Sequence, residues 1–157
     1  MRAASTVAPT SGDNRGKGCL LTMSTGQVIT SAASPVTLLW DTESYDDMDF
    51  HSVSSNTGRI TVPTGVTRIM LIGLVHWQNQ GVTRIENSSM TKNGSLVHDG
   101  LPSASMRNIV TSSDPRNPLW TIQNVVAGDY FEIICRTDDA SETLATNQTF
   151  FCATVVK

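Results

Sequence analysis

Side chains able to do chemistry are few in this chain of 157 residues, and their densest cluster lies in one stretch. Residues 41–57, DTESYDDMDFHSVSSNT, hold five of the fourteen acidic residues, Asp41, Glu43, Asp46, Asp47 and Asp49, together with His51. Carboxylate oxygens are the hard ligands that Ca²⁺ prefers, which makes Asp46, Asp47 and Asp49 the candidate metal ligands. The EF-hand spacing, with its central glycine and terminal glutamate, is missing, so a solvated acidic loop is the stronger expectation and no metal or cofactor is assigned. A loop of this length in a compact domain either has a task or folds back on the surface, with Tyr45 and Phe50 as the expected anchors.

Catalysis needs a nucleophile, base or metal set that converges, and the remaining reactive residues do not suggest one. His51, His76 and His98 are scattered, and His76 sits within an apolar run, where a packed or interface role is expected. No Gly-x-Ser-x-Gly elbow and no Cys-x-x-Cys or close Cys/His pair occurs. The three cysteines, Cys19, Cys135 and Cys152, are odd in number and lie in apolar, strand-like contexts. Buried free thiols are expected; if one pair formed, Cys19 with Cys152 is the candidate. Trp40, Trp77 and Trp120 could stack on sugars, but each begins or ends a strand-like run and is expected to pack. The chain therefore reads as non-enzymatic.

The composition is light in charge (16%) and rich in turn formers and β-branched residues, without long helical stretches. A net charge of −3 and a pI near 5.5 give no electrostatic reason to expect nucleic acid. No apolar segment reaches the length of a membrane span, and the first residues lack the apolar core of a secretory signal, so synthesis in the cytoplasm is expected. Residues 1–17 hold almost nothing large and apolar and read as a flexible arm that could order against a partner.

From residue 18 onward the pattern is that of strands. The runs are 18–23, 27–30 as a continuation of the first, 36–40, 58–62, 68–77, 82–90, 119–126, 130–137 and 144–156, with a short strand near 106–111 inside an otherwise loop-like 98–118. Asn93-Gly94 is a strong hairpin signal, because a type I′ turn needs positive φ at both central residues. Eight to ten strands without a helix imply an all-β sandwich or barrel. The central run is 68–77, RIMLIGLVHW. Ile69, Leu71, Val75 and Trp77 fall on one face and Met70, Ile72 and Leu74 on the other, so both faces must be covered. Which face meets the sandwich core is left open by the pattern.

The order of these features resembles the C1q/TNF-like jelly-roll domain, over residues 18–157. The resemblance rests on an apolar first strand, an aromatic-ended strand before the acidic stretch, ITVPTGV at 60–66, the Lys92-Asn93-Gly94 hairpin, Gly128-Asp129 leading YFEI, and a Phe-rich final strand. The stretch WDTESYDDMDFHS followed by a valine-proline-x-glycine-valine turn is similar to versions in bacteriophage structural proteins. The collagen-like stalk of many animal members is missing from residues 1–17.

The resemblance implies a jelly-roll sandwich of two antiparallel sheets that assembles as a homotrimer, with runs 18–23, 36–40, 68–77 and 150–156 in the inner sheet and 82–90 in the outer. The implied interface draws on Leu20, Leu38, Trp40, Met70, Ile72, Leu74, His76 and Phe151. The expected role is a virion structural protein, decorating the capsid or forming part of a head fibre or spike. It would attach to other virion proteins through residues 1–17, without nucleic acid or membrane as partners. The alternative is a receptor- or carbohydrate-binding domain at a tail or fibre tip, recognising its target through 41–57 and 98–118.

Overall fold

A computed structural model of the chain describes residues 12–30, 34–78, 84–97, 105–110, 116–138 and 141–157. Thirteen strands among them form two antiparallel sheets packed face to face. The seven-stranded sheet holds β1 (Gly18–Thr22), β2 (Val28–Thr30), β4 (Thr42–Asp46), β6 (Arg68–Gln78), β10 (Arg116–Asn124), β12 (Ser141–Leu144) and β13 (Phe150–Val155). Its order is β2-β12-β6-β13-β1-β4, with β10 on the other side of β6. The six-stranded sheet holds β3 (Val36–Thr37), β5 (Arg59–Thr61), β7 (Arg84–Lys92), β8 (Ser95–Leu96), β9 (Ser105–Val110) and β11 (Tyr130–Thr137). This is the expected all-β sandwich.

β6 is the central strand of its sheet, paired with β10 along one edge and with β12 and β13 along the other. Its alternation resolves the question left by the sequence. Ile69, Leu71, Val75 and Trp77 are fully buried in the core, while Met70, Ile72 and Leu74 point out of the sandwich and are half-buried. Gly73 occupies the middle of the core-facing row. A Cβ there would meet Ile133 Cδ1 at 2.5 Å and Met90 Cε at 3.4 Å, so its absence lets the opposite sheet approach. Trp40 and Phe151, with ring centroids 5.9 Å apart, fill the same core.

Several expectations are corrected. The run 36–40 yields only the two-residue β3, which pairs with β11 in the six-stranded sheet, not the inner one. Leu38 and Trp40 follow it into the core and are 0% exposed, as is Phe151, so none of the three can face a neighbouring subunit. Residues 42–46 form β4 on the edge of β1 and are not loop, and a register shift between Leu20 and Leu21 absorbs their irregular pattern. Tyr45 therefore stands outward, 46% exposed, while Phe50 anchors the excursion in the core as expected. Residues 27–30 do not continue β1 but pair with β12. Residues 116–118 belong to β10, and Pro118 is tolerated because β10 pairs only with β6 among the described residues and is an edge strand. The last run is split into β12 and β13 by a 3₁₀ turn, Thr146–Gln148, which inserts residues without leaving the edge of β6.

β7 faces the core with Glu86, Ser88 and Met90, so one end of the interior is polar. Asn117 Nδ2 donates to Ser88 Oγ at 3.1 Å, and Cys135 Sγ lies 3.6 Å from the same hydroxyl. Burial pushes the Cys135 thiol up to about 12. At the opposite end the Asn93-Gly94 turn has the expected positive φ, 52° and 76°. It is tied to the turn before β11. Asn93 Nδ2 donates to Asp129 Oδ1 at 2.9 Å, the Tyr130 amide donates to Asn93 Oδ1 at 2.9 Å, and Lys92 Nζ meets Asp129 Oδ2 at 2.9 Å.

Candidate functional site: the outward face of the seven-stranded sheet

Strand register aligns the outward side chains into rows, because directly opposed residues of antiparallel strands lie on one face. The central row runs Trp120, Ile72, Cys152, Leu20, Tyr45 across β10, β6, β13, β1 and β4. On one side lies the row Ile122, Met70, Thr154, Gly18, and on the other Pro118, Leu74, Phe150, Thr22, Thr42. None of the three rows carries an ionisable group that is charged at neutral pH. Burial raises the Tyr45 phenol and the Cys152 thiol above their ordinary values, so both stay neutral. Trp120 and Ile122 are 43% and 40% exposed. A contiguous apolar face of this kind marks an interaction surface rather than scattered exposure.

Gly18 is required in its row, since a Cβ there would run into the Ala153 carbonyl. The start of β1 is held at the edge by Asp47, whose Oδ2 accepts from the Gly18 amide at 3.0 Å while its own amide donates to the Gly18 carbonyl at 2.9 Å. Ahead of it, the 12–17 part of the expected arm is seated on the body: Gly16 donates to the Val155 carbonyl and Val155 to the Lys17 carbonyl.

Of the eight residues expected at an interface, Leu20, Met70, Ile72 and Leu74 share this face. Leu38, Trp40 and Phe151 are inside, as noted. His76 has the outward parity but is buried within the subunit, its amide donating to Thr149 Oγ1 at 3.1 Å and its carbonyl accepting from Ala145, either side of the 3₁₀ turn. Tyr45, Trp120, Ile122, Phe150 and Cys152 were missed. No signal within a single run points to them, because their place on this face is set by the register between strands distant in sequence.

The acidic stretch is organised around the backbone. Asp46 Oδ1 accepts from the Met48 and Phe50 amides and Oδ2 from the His51 amide, at 3.2, 3.0 and 2.8 Å. With Asp47 engaged by Gly18, the carboxylates of Asp46, Asp47 and Asp49 do not gather into a cation cage, and no group of three His, Cys, Asp or Glu side chains does so among the described residues. His51 closes the excursion, Nδ1 at 2.8 Å from Glu43 Oε1 and Nε2 at 3.1 Å from the Thr57 carbonyl. Asp41 anchors its start, accepting from the amide and hydroxyl of Ser24 at 2.7 and 2.6 Å. A cleft of about 310 Å³ opens beside it, lined by Thr25, Gln27, Leu39, Trp40, Val53 and Thr57 among others. Cys19, Cys135 and Cys152 are free thiols, and Cys19 and Cys152 lie on opposite faces of their sheet, so the candidate pair does not form.

No protein-family model matches the sequence, and no curated protein matches it either. Solved structures do. The globular domain of a zebrafish complement 1qA protein is 10% identical with a TM-score of 0.59, the match covering 90% of this chain and 98% of that one. Murine APRIL gives 10% identity and 0.59 over 90% of this chain and 100% of that one, and Eiger TNF from S. frugiperda 10% and 0.56 over 91% and 94%. At such identities the likeness is one of fold: the chain is an all-β jelly-roll sandwich of the C1q/TNF-like kind.

Proposed function

We propose that the chain is a non-enzymatic structural module that assembles as a homotrimer through the outward face of its seven-stranded sheet. The observation that carries this is the uninterrupted row Trp120, Ile72, Cys152, Leu20, Tyr45. Its two ends differ: Trp120 and Ile122 stand on one edge strand and Tyr45 on the other. Contact between the β10 side of one copy and the β4 side of the next is heterologous, and a heterologous contact that closes gives a ring. A three-membered ring turns the middle of every face toward a common axis and removes the exposed apolar area from water, at roughly 25 cal/mol per Å².

In this reading the trimer belongs to a virion, as capsid decoration or part of a fibre or spike, and residues 1–17 fix it to other virion proteins. The support is the sequence resemblance over 40–66 and the hydrogen bonds that seat residues 16 and 17, the end of the expected arm, on β13. Light scattering at micromolar concentration tests the trimer, and a monomer there overturns it. A variant lacking residues 2–17 that still attaches to particles removes the arm's role.

A second reading, recognition of a host receptor or glycan, is favoured by the cleft beside 41–57, where Leu39 and Val53 expose aliphatic surface next to polar Thr25, Gln27 and Thr57. Residues 98–104 and 111–115 of the second expected recognition loop lie outside the described residues. Glycan-array or cell binding that is lost on exchange of 49–57 distinguishes this reading from decoration alone.

A further inference from the structure

The Asn93-Gly94 turn carries a reactivity that its structural role does not use. An asparagine followed by glycine is where a backbone nitrogen most readily reaches a side-chain amide carbon, because glycine places no side chain in the way. Asn93 is exposed, so water reaches it. Yet both polar atoms of its amide are engaged across the chain, Nδ2 with Asp129 Oδ1 and Oδ1 with the Tyr130 amide, each at 2.9 Å. Asp129 is held in turn by Lys92 Nζ at 2.9 Å and by the Val126 amide at 3.0 Å. The side chain is thus fastened to the turn before β11 and is not free to swing onto the Gly94 nitrogen.

We infer that Asn93 is a latent deamidation site, kept as an amide by Asp129 and the Tyr130 amide. In the reaction the Gly94 nitrogen attacks Asn93 Cγ. The N–Cγ bond forms, the Cγ–Nδ2 bond breaks, and Nδ2 leaves as ammonia with the proton from Gly94. Water then opens the cyclic imide at either carbonyl, leaving aspartate or isoaspartate at 93. Water is the only co-reactant. The product does not suit its site, for a carboxylate at 93 would face Asp129 where an N–H donor now sits, and like charges at that distance repel. Conversion therefore loosens the junction between the hairpin and the turn before β11, and nothing in the site reverses it.

The test follows conversion at Asn93 by peptide mass mapping at mildly alkaline pH, in folded wild type, in wild type held in denaturant and in folded Asp129→Ala. Asn87, within β7 and opposite Arg136, serves as reference. Folded wild type is expected to convert at least about tenfold more slowly than the unfolded chain, and Asp129→Ala to recover most of that factor, the weight of one charge-assisted hydrogen bond. Asn87 is expected to hold its rate. Equal rates at Asn93 in folded and unfolded wild type overturn the inference, as does a folded Asp129→Ala that converts Asn93 no faster than folded wild type; a parallel rise at Asn87 and Asn93 in Asp129→Ala reports that this variant has not folded. In that case Asp129→Ser keeps a short acceptor for the neighbouring Val126 amide while removing the carboxylate that holds Asn93, and a folded Asp129→Ser with no rise at Asn93 also overturns the inference.

Discussion

The two sheets have the same backbone architecture and opposite outer faces. On the six-stranded sheet the outward residues of β11 and β7 pair as Glu132 with Thr91, Ile134 with Ser89 and Arg136 with Asn87, a row structure broken at every step by a polar or charged group. On the seven-stranded sheet the central row runs through Trp120, Ile72, Cys152 and Leu20 without a charged group, and the flanking rows add only the hydroxyls of Thr154, Thr22 and Thr42. Nothing in sandwich packing requires this, since an antiparallel sheet is content with water on one side. Charged side chains cross one outer face and not the central rows of the other, so substitutions on the two faces, and on the two sides of β6, are expected to have different effects.

The largest effect separates neighbours on β6. Leu71 is fully buried between the sheets, and Leu71→Ala is expected to cost about 2–5 kcal/mol, with Leu71→Asp unfolding the subunit. Ile72, one residue along, points the other way. Ile72→Asp is expected to keep the β-sheet circular dichroism signal and a cooperative melt while light scattering falls to the monomer mass. Loss of the fold in both variants would remove the distinction between the faces.

Next in size is the edge of the outward face. Trp120→Ala is expected to weaken self-association by about 2 kcal/mol or more, as buried aromatic anchors do, with little change in the spectrum of the dissociated subunit. Cys152 gives an independent reading of the same face. It lies beside Ile72 and Leu20, half-buried, whereas Cys19 and Cys135 point into the core. A thiol reagent is expected to label Cys152 faster in Ile72→Asp than in wild type and to leave the other two untouched in both. Unchanged labelling of Cys152 would mean that the face is uncovered in wild type.

A smaller effect lies away from both faces, at the Asp129 junction. Burial works to raise this carboxyl, but hydrogen bonds from Asn93, Lys92 and the Val126 amide overcome it and hold the group below its ordinary value of 3.8. Its pKa is thus lower folded than unfolded, so its contribution is complete above about pH 4 and is lost as pH falls through the lowered value. Asp129→Ala is expected to cost about 1–3 kcal/mol at pH 7 and to make the melting temperature less sensitive to acid below pH 4. Equal acid sensitivity in variant and wild type would show that the junction is not the titrating element.

The fold was legible because periodicity and turn chemistry act locally. The run 68–77 announced a strand covered on both sides, and Asn93-Gly94 announced its turn. What was not legible depended on pairing. Leu38 and Trp40 look like interface residues in an apolar run, but β3 ends at Thr37 and the following chain drops into the core. The acidic stretch looks like loop because β4 is an edge strand with polar alternate positions, and edge strands need only one good face. Pro118 concealed the start of β10 for the same reason. The outward face is assembled from five strands distant in sequence, so its continuity exists only in the register, and single runs such as 119–126 gave no hint that Trp120 and Ile122 complete it.

The smallest expected effect is the control that gives the others meaning. Glu132 and Arg136 occupy outward positions on β11 equivalent to those that Ile72 and Leu74 occupy on β6, and neither forms an ion pair with a described residue that would be broken by truncation. Glu132→Ala and Arg136→Ala are expected to change stability by no more than about 0.5 kcal/mol and to leave the assembled mass as it is. If either dissociated the assembly as Ile72→Asp does, the six-stranded sheet would belong to the contact as well. The trimer would then have to be built with its wet face inward, which a face carrying Glu132, Arg136 and Arg59 could do only with its charges paired across the interface.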